Sequence, residues 1–216
     1  MWKQGREVWN AWVAENPVAD ISFAGVDFNQ YRDLDTIPKN EWPFQRFCFP
    51  TGKKNFSGAT FGQGNVVFQG INFGNGNFEF DRADLGQCSY NFEDTVFEDR
   101  ASFADLRNVH AAKSFSFRHA SFGGAFTLSS KATFGCVPDL VGTKASHHIS
   151  LAGLKCKSPT ETHKRFFQRS VDKGDAERLR RLKELAEQNR DFEAAIDFKV
   201  EEMRAARWRN KHGFTS

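Results

Sequence analysis

Histidine and cysteine are the residues in this chain whose chemistry could serve a metal site or a catalytic centre. Six His and four Cys occur among 216 residues, and His147–His148 is the only close pair of histidines. Neighbouring residues of an extended chain point to opposite faces, so these two imidazoles are poorly placed to share one metal ion. We interpret them as an exposed loop pair and predict no metal site.

The four cysteines, Cys48, Cys88, Cys136 and Cys156, lie far apart and form no CxxC pair. None has a His or Asp at a spacing typical of a catalytic thiol, so the sequence predicts reduced thiols in a cytosolic protein. No GxSxG, HExxH or P-loop pattern is present. The segments "GQGN" and "GNGN" recur as turns of a repeat rather than as a single phosphate cradle. We therefore predict a non-enzyme without catalytic residues or cofactor.

An internal repeat runs through most of the chain, and any site would have to be positioned by the elements that it forms. An eight-residue unit places Phe, or another large apolar residue, at its third and eighth positions. Copies begin at Ile21, Lys54, Val66, Phe78, Tyr90, Phe115 and Ile149. The joins carry Gly62, Gly74 and Gly86, twelve residues apart, which indicates a turn whose backbone angle disfavours side chains.

Large apolar residues five positions apart fit neither the helical nor the simple strand period. They fit a chain that turns a corner at each step and points one large side chain inward, so that stacked turns bury a continuous column. The predicted core consists of Phe23, Phe28, Phe56, Phe61, Phe68, Phe73, Phe80, Leu85, Phe92, Phe97, Phe117, Phe122 and Phe134.

At this point the sequence resembles the pentapeptide-repeat family. The segments "ATFGQ" (59–63), "ADLGQ" (83–87), "ASFAD" (101–105), "ASFGG" (120–124) and "ATFGC" (132–136) match its pattern, and the resemblance covers roughly residues 19–156. It implies an all-β solenoid, a right-handed quadrilateral β-helix. Steps of five and seven alternate between residues 54 and 97, whereas the family steps by five. This departure indicates either bulged corners or a larger coil.

Three regions follow from this pattern: a helical cap at 1–17, a solenoid at 18–157 and a C-terminal helical region at 158–216. The solenoid is predicted to contain an irregular insertion at 29–53 and a break at 136–148. In the cap, Val8, Trp9, Trp12 and Val13 have helical spacing, and the segment resembles the start of many bacterial pentapeptide-repeat proteins.

The C-terminal region is predicted to hold three helices. "SPTE" (158–161) reads as a capping box that starts a helix reaching about Asp172, and Asp175 and Asp191 cap the next two helices. The last two should pack as a hairpin, with Leu179, Leu182, Leu185 and Ala186 on one side. This Leu face should contact the apolar face of the last helix, which is the candidate tail interface, Phe192, Ile196, Val200 and Met203. The hairpin must then pack on the last coil, the preceding helix, a second copy or a partner.

Residues 182–209 also resemble a tail that follows the coils in membrane-attached bacterial pentapeptide-repeat proteins. Two alternatives stay open: a soluble relative, or part of a longer chain that associates with a membrane. We expect a cytoplasmic location, with the inner face of a bacterial membrane as the variant that membrane attachment implies.

The charge pattern argues against a nucleic-acid partner. The net charge is only +3, and residues 18–156 hold 13 Lys and Arg against 14 Asp and Glu. Eight acids lie between residues 79 and 105, and Glu93, Asp94, Glu98 and Asp99 form the candidate partner surface. Some family members mimic duplex DNA and bind a type II topoisomerase, which makes this acidic stretch the alternative hypothesis.

The sequence thus favours a non-enzymatic interaction scaffold. The solenoid faces would present a surface to an unidentified protein partner, and the helical tail would serve dimerisation or attachment. The alternative is a DNA-mimicking inhibitor of a type II topoisomerase that acts through residues 79–105.

Overall fold

The computed structural model describes residues 2–31, 41–163 and 167–206, and they form a β-solenoid of about five turns followed by two helices. The predicted β-solenoid is therefore confirmed. Its α-helices are α1 (Arg6–Glu15), α2 (Asp175–Gln188) and α3 (Phe192–Ala206), and short 3₁₀ helices span Trp2–Gln4 and Phe28–Tyr31. The strands are β1 (Ile21–Ser22), β2 (Glu41–Pro43), β3 (Lys54–Asn55), β4 (Gln63–Val67), β5 (Phe78–Glu79), β6 (Gln87–Asn91), β7 (Val96–Phe97), β8 (Ala101–Leu106), β9 (Ser114–Ser116), β10 (Ser121–Phe122), β11 (Phe126–Ser130), β12 (Lys144–Ala145), β13 (Ile149–Ser150), β14 (Thr160–His163) and β15 (Phe167–Ser170).

The longest ladder of the solenoid, which we name the first ladder, is a parallel sheet in the order β1-β3-β5-β8-β11-β13. Lys54 pairs with Phe78, Phe78 with Ala101, Ala101 with Phe126 and Phe126 with Ile149. Successive partners are therefore 23 to 25 residues apart, which is the length of one turn of the chain.

Three further ladders run beside the first. Single-residue bridges through Thr60 and Asp84 form the second ladder, and β2-β4-β6-β9 form the third. The order β12-β10-β7 forms the fourth, which the bridge between Asn72 and Val96 extends. Each turn thus passes through four ladders and uses about 24 residues, which equals two pairs of the alternating steps of five and seven.

Asn and Asp side chains shape many corners between ladders, because a short polar side chain can accept a hydrogen bond from the backbone two residues on. Asn55 accepts from the Ser57 amide at 2.9 Å, and Asn91 accepts from the Glu93 amide at 2.8 Å. At a third corner, Asp139 accepts from the Val141 amide at 2.9 Å. The polar positions of the repeat therefore turn the chain, and the apolar positions fill its interior.

The interior is a column of stacked aromatic rings. All thirteen side chains predicted to point inward are buried. Phe44, Phe68, Phe92 and Phe117 stack in consecutive turns, with ring centroids 4.5, 4.8 and 5.1 Å apart. Such pairs contribute about 0.5–1.5 kcal/mol beyond the burial of their area, so the repeated choice of Phe stabilises contact between turns.

Both predicted irregular segments contribute to the solenoid. Residues 32–40 of the predicted insertion 29–53 lie outside the described residues. In the part that the structure describes, β2 pairs with β4, and Trp42 and Phe44 are buried. Within the predicted break 136–148, Asp139 bridges Ser116 and β12 pairs with β10. The backbone register therefore persists where the Phe pattern is lost, because a ladder needs backbone partners and not a particular side chain.

The helix predicted from Ser158 to about Asp172 is wrong. Strands β14 and β15 pair there as an antiparallel hairpin, with Thr160 opposite Ser170. The Ser158 hydroxyl, which a capping box would use on its own backbone, donates to the Asp175 carboxylate at 2.6 Å. This contact is distant in sequence, so it competes with the local helix signal.

The predicted N-terminal helix is confirmed as α1, which packs against the first coil. Trp9 and Val13 are buried, whereas Val8 is exposed. The Trp9 ring lies 6.0 Å from the Phe23 ring, and its indole N–H donates to the Cys48 carbonyl at 2.6 Å. Helix α1 therefore covers the apolar start of the column. Stacked repeats need such a cap, because the outer face of the first repeat would otherwise be exposed to water.

Candidate functional site

Helix α2 lies across the last turn of the solenoid and extends its core. Leu179, Leu182, Leu185 and Ala186, which recur at helical spacing, are buried in one continuous cluster with the Phe column. The Asn189 side chain, at the end of the helix, donates to the carbonyl of Ile149 in β13. Of the four supports that the sequence left open for the hairpin, the structure therefore uses the last coil.

A cluster of charged side chains fixes the beginning of α2 to the third ladder. The buried Asp139 carboxylate accepts from Nε of Arg118 at 3.0 Å and from Nε of Arg178 at 3.2 Å. Arg178 also contacts the carboxylates of Asp172 at 2.6 Å and Asp175 at 2.9 Å. These bonds join a coil, the hairpin end and a helix, so α2 has a defined position on the solenoid.

Burial and neighbouring charges shift the pKa values of Arg178 and Asp172 in opposite directions. Burial lowers the pKa of Arg178, but its hydrogen bonds and attraction to Asp172 and Asp139 outweigh burial and raise the pKa. The pKa of Asp172 is lowered, first by the hydrogen bond from the Gly174 amide and then by Arg178. Both pKa shifts favour the charged forms of Arg178 and Asp172 near neutral pH. A cleft of about 420 Å³ lies beside them, lined in part by Glu93 and Asp139.

A second arginine of α2 fixes the middle of the helix to the solenoid. The Arg181 guanidinium donates to the carbonyls of Leu140 at 3.4 Å and Thr143 at 3.1 Å. Because both carbonyls belong to the corner between the third and fourth ladders, α2 is held at several points along its length.

Helix α3 begins at the predicted cap, since the Asp191 carboxylate accepts from the Ala194 amide at 3.1 Å. The helix buries Ala195 and Phe198 and packs against α2. The buried Glu202 carboxylate accepts from Arg180 of α2 at 3.0 Å and from Lys199 at 3.1 Å. Burial raises the pKa of Glu202, but these hydrogen bonds and charges outweigh it and lower the pKa overall.

The outer side of α3 carries a row of exposed apolar side chains, which we name the α3 surface: Phe192, Ile196, Val200 and Met203. Their exposed fractions are 65%, 65%, 42% and 52%. These residues were expected to pack against the leucines of α2, and that expectation is wrong. The hairpin uses Ala195 and Phe198 instead, which are the apolar side chains that α3 buries.

The four acids of the candidate partner surface divide between two corners of one turn. Glu93 and Asp94 lie between β6 and β7, whereas Glu98 and Asp99 lie between β7 and β8. In the next turn, the Asp94 amide donates to the Arg118 carbonyl, and Gly123 lies over Glu98. The acids therefore form two short patches, and neither patch continues along the solenoid.

The cysteines differ in their exposure to solvent. Cys88, Cys136 and Cys156 are buried, and Cys48 is exposed. Burial raises the pKa of Cys136 to about 12 and also raises the pKa of Cys156, which keeps both thiols protonated. Within residues 2–31, 41–163 and 167–206, no three His, Cys, Asp or Glu side chains converge as metal ligands.

Sequence reasoning missed the charged cluster at Asp139 and Arg178. One signal was available, since Asp139 is the only acid between residues 106 and 156 of an otherwise repetitive solenoid. Its partner could not be inferred, because Arg178 lies 39 positions away and in a different kind of element.

Comparison with known proteins finds no matching family model, no matching curated protein and no matching solved structure. Among the helices of the described residues, none is both long enough and apolar enough to cross a membrane.

Proposed function

We propose that this chain is a non-enzymatic interaction scaffold, in which a rigid solenoid holds the α3 surface in position for a protein partner. The observation that carries the proposal is the row Phe192, Ile196, Val200 and Met203, exposed on a helix whose opposite side is fixed. Isolated exposed apolar residues are ordinary on protein surfaces, whereas a contiguous row marks an interaction site.

The anchoring of α3 supports this role. The helix packs on α2, and α2 contacts the solenoid through Asp139, Leu140, Thr143 and Ile149. A preorganised surface loses less conformational entropy when it binds, so more of its contact energy appears as affinity. The solenoid then acts as the rigid body to which the binding helix is attached.

We further propose that the solenoid is a right-handed quadrilateral coil of the pentapeptide-repeat type. Two observations support this finer assignment: the five-residue segments such as "ATFGQ" and "ADLGQ", and the passage of each turn through four ladders. The turn of about 24 residues makes this coil larger than four strict pentapeptides.

The arrangement of the acids gives no support to the alternative function, a DNA-mimicking inhibitor of a type II topoisomerase. Such a mimic needs a row of negative charge along the molecule, as duplex DNA carries at regular intervals. Here the Glu93 carboxylate accepts a hydrogen bond from Ser116 at 2.9 Å, and Arg118 lies in the following turn. The scaffold is therefore the function that we propose.

The test places a photo-crosslinking amino acid at Val200 of the full chain, in the organism that encodes it. The control is the same amino acid at Val18, a valine that is 76% exposed but isolated. We expect a protein crosslinked from position 200 and absent from position 18. The crosslink should disappear in the Ile196→Glu variant, because a charge in the centre of an apolar contact is costly.

Circular dichroism must first show that each variant keeps the spectrum and melting temperature of the parent chain. Equal crosslinking from positions 18 and 200, or no crosslink at all, would contradict the role of the α3 surface. A partner that is retained by Ile196→Glu would also contradict it.

A further inference from the structure

The α3 surface has the symmetry that self-association requires. We propose that a second copy of the same chain covers it, with the two α3 helices antiparallel across a two-fold axis. This inference rests on the proposed function, since it names the partner of that surface. Two-fold dimers are the commonest symmetric assemblies, and each places one patch against the same patch of the other copy.

The apolar row is complementary to its own reversed copy. Residues 192 and 203 lie near its two ends, and residues 196 and 200 lie near its middle. An antiparallel pairing centred near residue 198 places Phe192 against Met203, and Ile196 against Val200, in both directions. Each large apolar side chain then meets another, and the row of about 17 Å is covered over its length.

Charges beside the row favour the antiparallel direction. Glu193 and Arg204 are eleven residues apart, close to three helical turns, so both lie along the same edge of the row. Both are exposed, and Arg204 has 63% of its side chain accessible. A two-fold axis perpendicular to the helices brings like edges together, so Glu193 faces Arg204 of the second copy twice. A parallel pairing would instead place the two like edges on opposite sides of the interface, where Glu193 and Arg204 of the two copies would not meet.

The existing contact of Arg204 is compatible with this arrangement. Its guanidinium already pairs with Glu201 of its own helix, whose side chain is only 15% exposed. A guanidinium has five N–H donors, so it can contact Glu201 and a second carboxylate at the same time. Glu201 therefore orients Arg204 along the helix and leaves some of its N–H donors available for a second carboxylate.

Sedimentation equilibrium of the full chain is the first test. We expect a mass twice the 24.6 kDa of one chain. The Ile196→Glu, Val200→Glu double variant should be monomeric, with dimer affinity reduced at least about 100-fold, since the dimer would then bury four unpaired carboxylates, two from each copy. The Val18→Glu variant should remain dimeric, because Val18 is exposed far from α3 in sequence.

Charge reversal tests the direction of the helices. Glu193→Arg and Arg204→Glu should each weaken the dimer, by roughly 3- to 10-fold at low salt, because two like-charged contacts replace two attractive ones. The chain that carries both reversals should regain the parent affinity, since the opposite charges meet again. Failure of the double reversal to restore affinity would contradict the antiparallel pairing.

The outcomes separate this inference from the function on which it rests. A monomeric parent chain at several hundred micromolar overturns the second copy as partner. If position 200 still crosslinks another protein in that case, the scaffold function stands. If it crosslinks nothing, both proposals fail. A dimer that survives the Ile196→Glu, Val200→Glu substitution places the contact elsewhere and also overturns the inference.

Discussion

Lys54 is a charged residue at an inward position of the first ladder. Ile21 and Phe78 occupy the equivalent positions in the neighbouring turns. The Lys54 side chain is fully buried, and its ammonium donates to the Asn75 carbonyl. Burial lowers its pKa to about 8, although the carboxylates of Asp99 and Asp20 act in the opposite direction. This lysine should therefore destabilise the fold near neutral pH.

We predict that the stability difference between the parent chain and Lys54→Met depends on pH. From about pH 8 to about pH 10.5 the unfolded chain binds more protons at Lys54 than the folded chain does. The free energy of unfolding of the parent should therefore rise relative to the variant over this window, by about 3 kcal/mol. Urea denaturation at several pH values measures the difference.

Lys53→Met is the matched control for this prediction. The Lys53 side chain is 44% exposed and pairs with Glu79 at 2.8 Å, so its removal should leave no comparable pH dependence. Parallel stability curves for the parent and Lys54→Met between pH 7 and 11 would refute the assignment of a lowered pKa to this lysine.

At the level of the single residue, the core could be predicted from the sequence, whereas the charged cluster at Asp139 could not. The inward Phe positions followed from the repeat, in which Lys54 is the only charged residue among the first residues of the seven copies. The role of Asp139 was hidden, because its partners Arg118 and Arg178 become neighbours only through folding. A repeat pattern specifies which side chains point inward, but it does not specify long-range charge pairs.

At the level of the element, the corners depend on glycines in the left-handed region, and two of them form a matched pair. Gly86 and Gly70 have φ values of +51° and +70°. A Cβ on Gly86 would lie 2.2 Å from the Gly62 carbonyl oxygen in the adjacent turn, whereas a Cβ on Gly70 would meet no atom within 4 Å. The two positions thus separate backbone strain from steric contact between turns.

We predict that Gly86→Ala destabilises the chain by at least about 2 kcal/mol more than Gly70→Ala does. Gly70→Ala should cost roughly 1 kcal/mol, since it introduces strain in φ only. Gly86→Ala adds a clash with a backbone oxygen that cannot move without breaking the ladder. Guanidinium denaturation of both variants measures the difference, and equal losses would show that the turns are not in close contact at Gly86.

The elements also show why a local signal can mislead. "SPTE" has every feature of a capping box, yet the Ser158 hydroxyl is used by Asp175 and the segment forms a strand. In α3, two apolar faces were present in the sequence, and only the packing against α2 determined which one was buried. Helix positions 175–188 and 192–206 were close to the prediction because their periodicity is a local property. The predicted cap of α2 is wrong, since Asp175 lies inside the helix and its carboxylate contacts Ser158 and Arg178 instead of the helix backbone.

At the level of the whole molecule, the Phe column makes the turns depend on one another. The Phe73 ring lies 4.9 Å from Phe97 and 4.6 Å from Phe78. We predict that Phe73→Asp abolishes the cooperative thermal transition, because an unpaired carboxylate in the column costs several kcal/mol, comparable with the total stability of a domain. The control Val18→Asp should melt as the parent does.

Circular dichroism and calorimetry provide the measurement. A native β spectrum with an unchanged melting temperature in Phe73→Asp would refute the continuous column.

The solenoid itself could be predicted from the sequence because every turn repeats the same pattern of apolar residues. The length of its turn could not, since bulged corners and a larger coil give the same spacing of Phe along the chain.

Repetition also makes the length of this molecule a discrete variable. Adjacent strands of a ladder lie about 4.8 Å apart, so each additional turn of about 24 residues would separate α1 from α2 by one such step. Helix α1 packs on the first coil, and α2 packs on the last one. The ladders between them can accept a new turn wherever the register is kept. Duplication of residues 54–77 would therefore lengthen the scaffold by one fixed step. In an antiparallel dimer, both copies would lengthen, so the whole assembly would gain two such steps.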